Sequence, residues 1–253
     1  MATEAQIEGG RQGRNSGYAF EPLVMSKKNG WEPTNMLDIW GERITTSKTD
    51  VITENYNYSI KNTERSSTST QIQVCSVDRF CRLFQIKGNL KVQFDQFFGN
   101  HGFFKDQELF KEHCQNVWGI NPNKLSLKTE IRRNRILGGN LTNPQSVVMW
   151  FQENIRPVLE FALKTSFNNP INSEVIANRI LWTKIKDCYE TRSEFDIDPL
   201  IDSITANATV KVRPTGSVIE IGPVTLQMKG SGRSASAYHN MQFNASLNAI
   251  KNF

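Results

Sequence analysis

Asp50 follows Lys48 and Thr49 and stands where a run of β-forming residues begins, Val51 to Lys61. Further along, Gln71, Gln73 and Cys75 alternate with Ile72, Val74 and Ser76. A period of two puts the first three on one face of a strand. A carboxylate on one strand, facing an amide oxygen on its neighbour, can hold a hard divalent cation. Glu21, in Gly17-Tyr18-Ala19-Phe20-Glu21 on an expected opening helix, can add another oxygen. Lys48 lies two positions before Asp50, on its face of the strand, and can bring an ammonium to whatever that ion holds. Acidic strand ends are common, and the same residues also read as an ordinary solvated edge.

Other chemistries find less support. His101, His113 and His239 form no HExxH, and Cys75, Cys81, Cys114 and Cys188 form no CxxC, so neither structural zinc nor a disulfide scaffold is expected. No GxSxG elbow is present. Gly230 to Ala235 matches GxGxxA, but a dinucleotide site needs a helix, a parallel strand and a distant acid after it. The 18 residues after Ala235 leave no room for these. What remains is a Gly/Ser loop, with Ser231 between Lys229 and Arg233, whose backbone N–H groups suit a phosphate.

The formal charge is +5. Lys211, Arg213, Lys229, Arg233 and Lys251 face a single acid, Glu220, after residue 206, so most of the excess sits in the last fifth of the chain. A basic segment of this kind fits contact with a polyanion; the alternative is a solvated basic face. A second basic run holds Lys124, Lys128, Arg132, Arg133 and Arg135. With 38% apolar and 22% charged residues and no long apolar run, a membrane protein is not expected. MATEAQIEGG has no apolar stretch, so no signal peptide is expected, and a cytoplasmic protein is.

The elements that must position these residues follow from periodicity. A helix starts near Asn15 or Ser16, with Phe20, Leu23 and Val24 on one face, and Gly30 ends it. Strands over Val51–Lys61 and Thr70–Val77, joined by a Ser/Thr-rich link, read as a hairpin. The clearest helix starts at Asn143-Pro144 and carries Val147, Phe151, Ile155, Val158, Leu159 and Ala162 in a three-and-four rhythm, with a bend at Pro157. A second helical pattern runs from Ser173 to Tyr189. Strands return over 208–213, 218–221 and 224–229, broken at Pro214-Thr215-Gly216 and Gly222-Pro223. The expected fold is α/β (α+β), a central mixed sheet flanked by helices. At roughly 150 residues per domain, 253 residues make one large domain or two small ones.

Taken together, these pieces resemble type II restriction endonucleases of the HinP and MspI type, within the PD-(D/E)xK nuclease fold. The strongest block is Arg213-Pro214-Thr215-Gly216-Ser217 leading into Ile221-Gly222-Pro223-Val224-Thr225-Leu226-Gln227-Met228-Lys229-Gly230, then Asn240-Met241-Gln242-Phe243. It is similar to the family's PRGS turn, G-x-V-T-I-Q-x-K-G strand, Gly/Arg loop and N-M-L-Q-F. Lys48-Thr49-Asp50-Val51 resembles the family's K-S-D-I, and Ile72-Gln73-Val74-Cys75 its I-Q-V-K. The resemblance implies a single nuclease domain over 1–253, a catalytic hairpin around 48–77 and a DNA-reading part around 206–245. It implies Mg²⁺-dependent cleavage of double-stranded DNA, with Asp50, Gln73 and Glu21 around the metal. Arg213, Gln227, Lys229, Ser231, Arg233, Asn240 and Gln242, with Gln85 and Lys87 beyond the metal strand, become the DNA-contacting set. Arg and Lys can donate to guanine, and Asn and Gln can pair with adenine's edge. A palindromic target fits a homodimer, or a monomer that nicks each strand in turn.

One departure changes the chemistry. Cys75 stands where the family has its catalytic lysine. A thiol with a pKa near 8.5 is mostly neutral at pH 7, and its anion has the wrong sign for offsetting phosphate charge. Three readings follow. Lys48, Lys61 or Lys87 supplies the ammonium; or the register shifts so that Gln71 and Gln73 take the motif positions; or the chain is a weakened or decayed nuclease that binds DNA without cutting it.

Overall fold

A computed structural model of the chain describes residues 21–31, 48–62, 69–98, 112, 115–116, 144–165, 176–185, 189–213, 218–228 and 240–253. The chain divides into two compact units of interleaved segments. One holds Met1–Gln73, Ile155–Asn207 and Ala245–Phe253, the other Val74–Asn154 and Ala208–Asn244. The fold is mixed α/β, with strands in two sheets and helices beside them. The expected element at the start of the opening helix lies outside the described residues, as does the basic run over 121–139.

The first unit is built on a four-stranded sheet, β1 (Val51–Ile52), β2 (Asn57–Asn62), β4 (Arg179–Ile185) and β5 (Tyr189–Asp196), in that order. β1 and β2 pair antiparallel, β2 and β4 parallel, β4 and β5 antiparallel. The expected single strand over Val51–Lys61 is thus two strands. Thr53 breaks it: its Oγ1 accepts from Tyr56 N at 3.0 Å and its N donates to Tyr56 O at 2.8 Å. The expected hairpin of β2 with β3 (Ser69–Ser76) does not form; β3 lies beside β9 (Asn240–Ser246) in the other sheet, and β2 is enclosed by β1 and β4. The expected helix over 173–189 is also replaced, by β4 and the start of β5. Ile180, Leu181 and Trp182 are all buried. A strand with neighbours on both edges and cover on both faces reads as a continuous apolar run, which periodicity alone does not separate from a buried helix.

Helix α1 covers 21–28 and packs Val24 against Val51, Tyr58 and Leu181. Asn29, at φ 52°, takes the left-handed residue that follows the helix. Gly30 has another reason to be glycine. Its N–H donates to Met25 O, and Trp31 next to it exchanges two 2.8 Å hydrogen bonds with Ile52. A Cβ on Gly30 would lie 2.5 Å from Val51 Cγ1 and 2.6 Å from Ile52 O. Gly30→Ala is therefore expected to destabilise the fold by roughly 2 kcal/mol, because the backbone carbonyl cannot move aside as a side chain can. A urea midpoint equal to wild type would show that the turn can retreat.

The long helix expected after Pro144 is present as two, α4 (Gln145–Glu153) and α5 (Ile155–Lys164), broken at Asn154. Pro157 accounts for the break: it offers no N–H, and its ring collides with the carbonyl four residues earlier, that of Glu153. α5 packs on α6 (Ile197–Asn207), whose Ile197, Leu200, Ile201 and Ile204 are buried. Lys164 and Asp198 join the two helices at 2.8 Å.

In the second unit, Ser76 ends β3 and caps α2 (Val77–Leu83) by accepting from Arg79 N. α3 (Gly88–Phe98) and α4 complete an aromatic core of Phe80, Phe94, Phe98 and Phe151, with Phe94 and Trp150 edge to face at 5.3 Å. The other sheet has the order β3, β9 (Asn240–Ser246), β8 (Val224–Met228), β7 (Val218–Ile221), β6 (Val210–Val212). The short helix α7 (Leu247–Ile250) follows β9. Among the described residues no helix is long and apolar enough to cross a membrane.

Candidate active site and nucleic-acid face

Asp50 sits at the entrance of β1. Its N–H donates to Tyr58 O at 2.8 Å, and its Oδ2 accepts from Ile60 N–H at 2.6 Å. The carboxylate is thus pinned against β2. Lys61, on the same strand, holds its Nζ 3.9 Å from Asp50 Oδ2 and donates to Ile60 O at 3.0 Å. The Asp50 side chain is 23% exposed. Burial pushes its carboxyl above the ordinary range; Lys61, the Ile60 N–H and Lys48 pull the other way. Ser59, two residues before Lys61, is fully buried, and its Oγ has no hydrogen-bond partner.

Lys48 is buried and plays a different part from the one expected. Its ammonium donates to Ile72 O and, at 2.6 Å, to Ala162 O. Ala162 belongs to the last turn of α5, where carbonyls lack helical partners and the helix dipole is negative. Burial draws the Lys48 pKa well below its usual value, Lys61 lowers it further, and Asp50 opposes. Gln73 reaches the same helix end: its Nε2 donates to Thr165 O at 2.6 Å and to Phe161 O at 3.4 Å. Both residues tie the chain to α5, and the amide of Gln73 is oriented by those carbonyls.

Glu21 occupies the first described turn of α1, three residues before the buried Val24. α1 is anchored on the Tyr58 face of the sheet. Lys28 Nζ and Tyr58 OH both donate to Glu194, each at 2.9 Å, and Arg179 meets Glu194 at 3.0 Å. Strand alternation places Ser59 and Lys61 on the opposite face from Tyr58. Cys75 is in the core of the second unit, 4% exposed, with burial and then Cys81 pushing its thiol strongly up. It is held neutral and carries no ammonium's charge.

No group of three or more His, Cys, Asp or Glu gathers as a metal cluster among the described residues. Mg²⁺ is commonly held by one or two carboxylates with waters and substrate phosphates, rather than by a full protein cage. A pinned carboxylate with spare lone pairs, beside an orphaned buried hydroxyl, fits that sparse pattern.

The amide residues expected to read DNA fall together. On β9, Met241 and Phe243 are buried while Asn240 and Gln242 are half-buried; on β8, Val224 and Leu226 are buried while Gln227 is half-buried. Gln227, Asn240 and Gln242 therefore share the polar face of neighbouring strands. Gln242 Nε2 donates to Asn244 Oδ1 at 2.7 Å. Arg213 is exposed and ion-paired with Glu220, which pairs in register with Lys211. Exposed pairs of this kind are worth little and exchange readily. Gln85 and Lys87 are exposed on the turn between α2 and α3, Gln85 in a left-handed conformation at φ 54°. Lys229, Ser231 and Arg233 lie outside the described residues.

Lys61, with Lys48 and Lys87, is one of the three cations that can stand in for a lysine at position 75. Ser59 joins it through the spacing Asp50…Ser59-Ile60-Lys61, a hydroxyl two residues before a lysine on the strand that pairs with β1.

No protein-family model and no curated protein sequence matches this chain. Among solved structures, the chain is similar to the restriction endonuclease MspI in complex with its cognate DNA, over 85% of this chain and 69% of that one, at 13% identity and a TM-score of 0.39.

Proposed function

We propose that this chain is a type II restriction-type endonuclease, hydrolysing phosphodiester bonds at a specific sequence of double-stranded DNA with Mg²⁺, in the cytoplasm as part of restriction–modification. The observation that carries the reading is the corner of β1 and β2: a carboxylate pinned by a backbone N–H, with an ammonium 3.9 Å away. Asp50 would hold the metal, with Ser59 and Gln73 as the remaining oxygen donors; Glu21 rides on the helix packed against the Tyr58 face and stays outside this set. When bound, Mg²⁺ supplies a polarised water and offsets charge on the phosphate oxygens. Lys61 would take the ammonium role, neutralising charge that develops on the scissile phosphate and holding the attacking water in line. Position 75 then has no part in the chemistry and belongs to the core.

The polar face of β8 and β9 would read the sequence. Carboxamides of Gln227, Asn240 and Gln242 can form paired bonds to adenine's edge, and Arg213 can exchange Glu220 for a phosphate or guanine. Lys229, Ser231 and Arg233 complete this set in the proposal, with Gln85 and Lys87 secondary. A homodimer on a palindromic site remains the proposed assembly.

The test is a digest of mapped plasmid by the full chain. With Mg²⁺, discrete fragments are expected; with EDTA, intact DNA. Binding should weaken steeply with salt, with a log–log slope of about −0.9 for each phosphate neutralised. A non-catalytic DNA-binding protein is the second reading, favoured by the neutral thiol at Cys75, where the resemblance expects a lysine. It predicts shifted but uncut DNA, and absence of any shift removes both readings.

A further inference from the structure

Trp31 is 50% exposed although its backbone is held on both sides by Ile52, N–H to O and O to N–H, each at 2.8 Å. The preceding Gly30 packs so closely on Val51 and Ile52 that no side chain fits there. The backbone that presents the exposed indole is therefore fixed before any ligand arrives. A single exposed aromatic is ordinary on a protein surface. The place of this one is not.

The isolated bridge sets Trp31 opposite Ile52. Ile52 in turn pairs with Asn57, so Trp31, Ile52 and Asn57 share a face, and Ser59 and Lys61 alternate back to that face. Asp50 is two residues from Ile52 along the same strand. Strands about 4.8 Å apart and rising about 3.3 Å per residue put the Cα atoms of Trp31 and Asp50 roughly 8 Å apart. That is the span of about one nucleotide. A phosphate drawn to Lys61, and to a cation held at Asp50, would bring its neighbouring nucleoside to the indole.

We infer that Trp31 is a nucleobase contact, stacking on the base that flanks the phosphate handled at Asp50 and Lys61. The inference rests on the nuclease reading above and adds a residue to it. A paired base offers no free face, so stacking on duplex DNA requires the flanking step to open around the inserted ring. Stacking has no ionic part, so its loss should weaken binding equally at all salt concentrations, unlike the loss of a phosphate contact.

The experiment uses the full chain, EDTA to block cutting, and a duplex carrying 2-aminopurine beside the cleavage position mapped by digestion. On binding wild type, the 2-aminopurine fluorescence should depart from that of the free duplex. Trp31→Leu should lower affinity about ten-fold with an unchanged salt slope and return the fluorescence to the free-duplex level. Trp31→Phe should keep both within about three-fold, since it retains a flat ring. Wild-type binding with unaltered 2-aminopurine fluorescence overturns the inference whatever the variants do, as does a folded Trp31→Leu that binds like wild type. If wild type binds no DNA, the nuclease reading itself has failed, a result distinct from either.

Discussion

Asp50→Asn is expected to abolish cleavage, by about 10³-fold or more, while DNA binding and folding survive. A thousand-fold loss corresponds to roughly 4 kcal/mol of transition-state stabilisation, a plausible share for the charged group that holds the metal. Asparagine keeps an oxygen to accept from Ile60 N–H, the bond that pins the side chain at 2.6 Å. The corner of β1 and β2 should therefore keep its shape. The charge alone is lost. Because burial raises the Asp50 pKa in the fold, its ionised form carries a stability penalty above that raised value. The wild-type protein gains stability as pH falls through the raised pKa towards the ordinary carboxylate value near 4. Asp50→Asn lacks that gain, so its melting temperature should equal or exceed wild type near pH 7 and lose that advantage towards pH 4. Lys61→Met should slow cutting by about 10²-fold, and the double variant should lose less than the product of the two, since the groups are in contact. Unchanged cutting by Asp50→Asn would take Asp50 out of the mechanism.

Local patterns showed those parts of the fold that depend on local spacing. The period of two in Gln227 and in Asn240-Met241-Gln242-Phe243 marks a face with amides out and apolar residues in, and the sheet has that face. The rhythm from Val147 to Ala162 marks helix, and Pro157 marks the interruption, displaced by one turn to Asn154 because the ring acts on a carbonyl four residues back. What stayed hidden depends on partners far along the chain. Tyr58 pairs with Arg179 in parallel, a pairing that no hairpin signal announces. It inserts β4 where β3 was expected, and so leaves the strand of Ser59 and Lys61, rather than that of Gln73 and Cys75, beside Asp50. Lys48 shows a different limit. Its position in sequence is that of a cation beside an acid, but the open carbonyls of α5 claim its ammonium, and only the packed structure brings that helix end to it. In α6, Ile197, Leu200, Ile201 and Ile204 have helical spacing, and Pro199 is tolerated among them because it lies in the first turn, where the N–H is unpaired.

Cys75→Lys separates a core position from a catalytic one, and the expected result is a protein destabilised by roughly 3–5 kcal/mol with no gain in cutting. Cys75 is 4% exposed in the second unit, and burial already holds its small thiol neutral. Lysine has three more side-chain heavy atoms than cysteine, and its last atom is an ammonium nitrogen. Overpacking alone costs about 1–3 kcal/mol; a buried cation without a partner costs several more or must give up its proton. Lys48 shows what burial of an ammonium requires here: two backbone carbonyls, one of them at the negative end of a helix. Cys75→Ala isolates the packing part and should lose only about 1–2 kcal/mol in urea unfolding, with cutting preserved. A Cys75→Lys protein that melts like wild type and cuts faster would give position 75 the ammonium role and remove it from Lys61. A protein that melts early and cuts no faster, beside an active Cys75→Ala, would place the chemistry on the strand that carries Ser59 and Lys61.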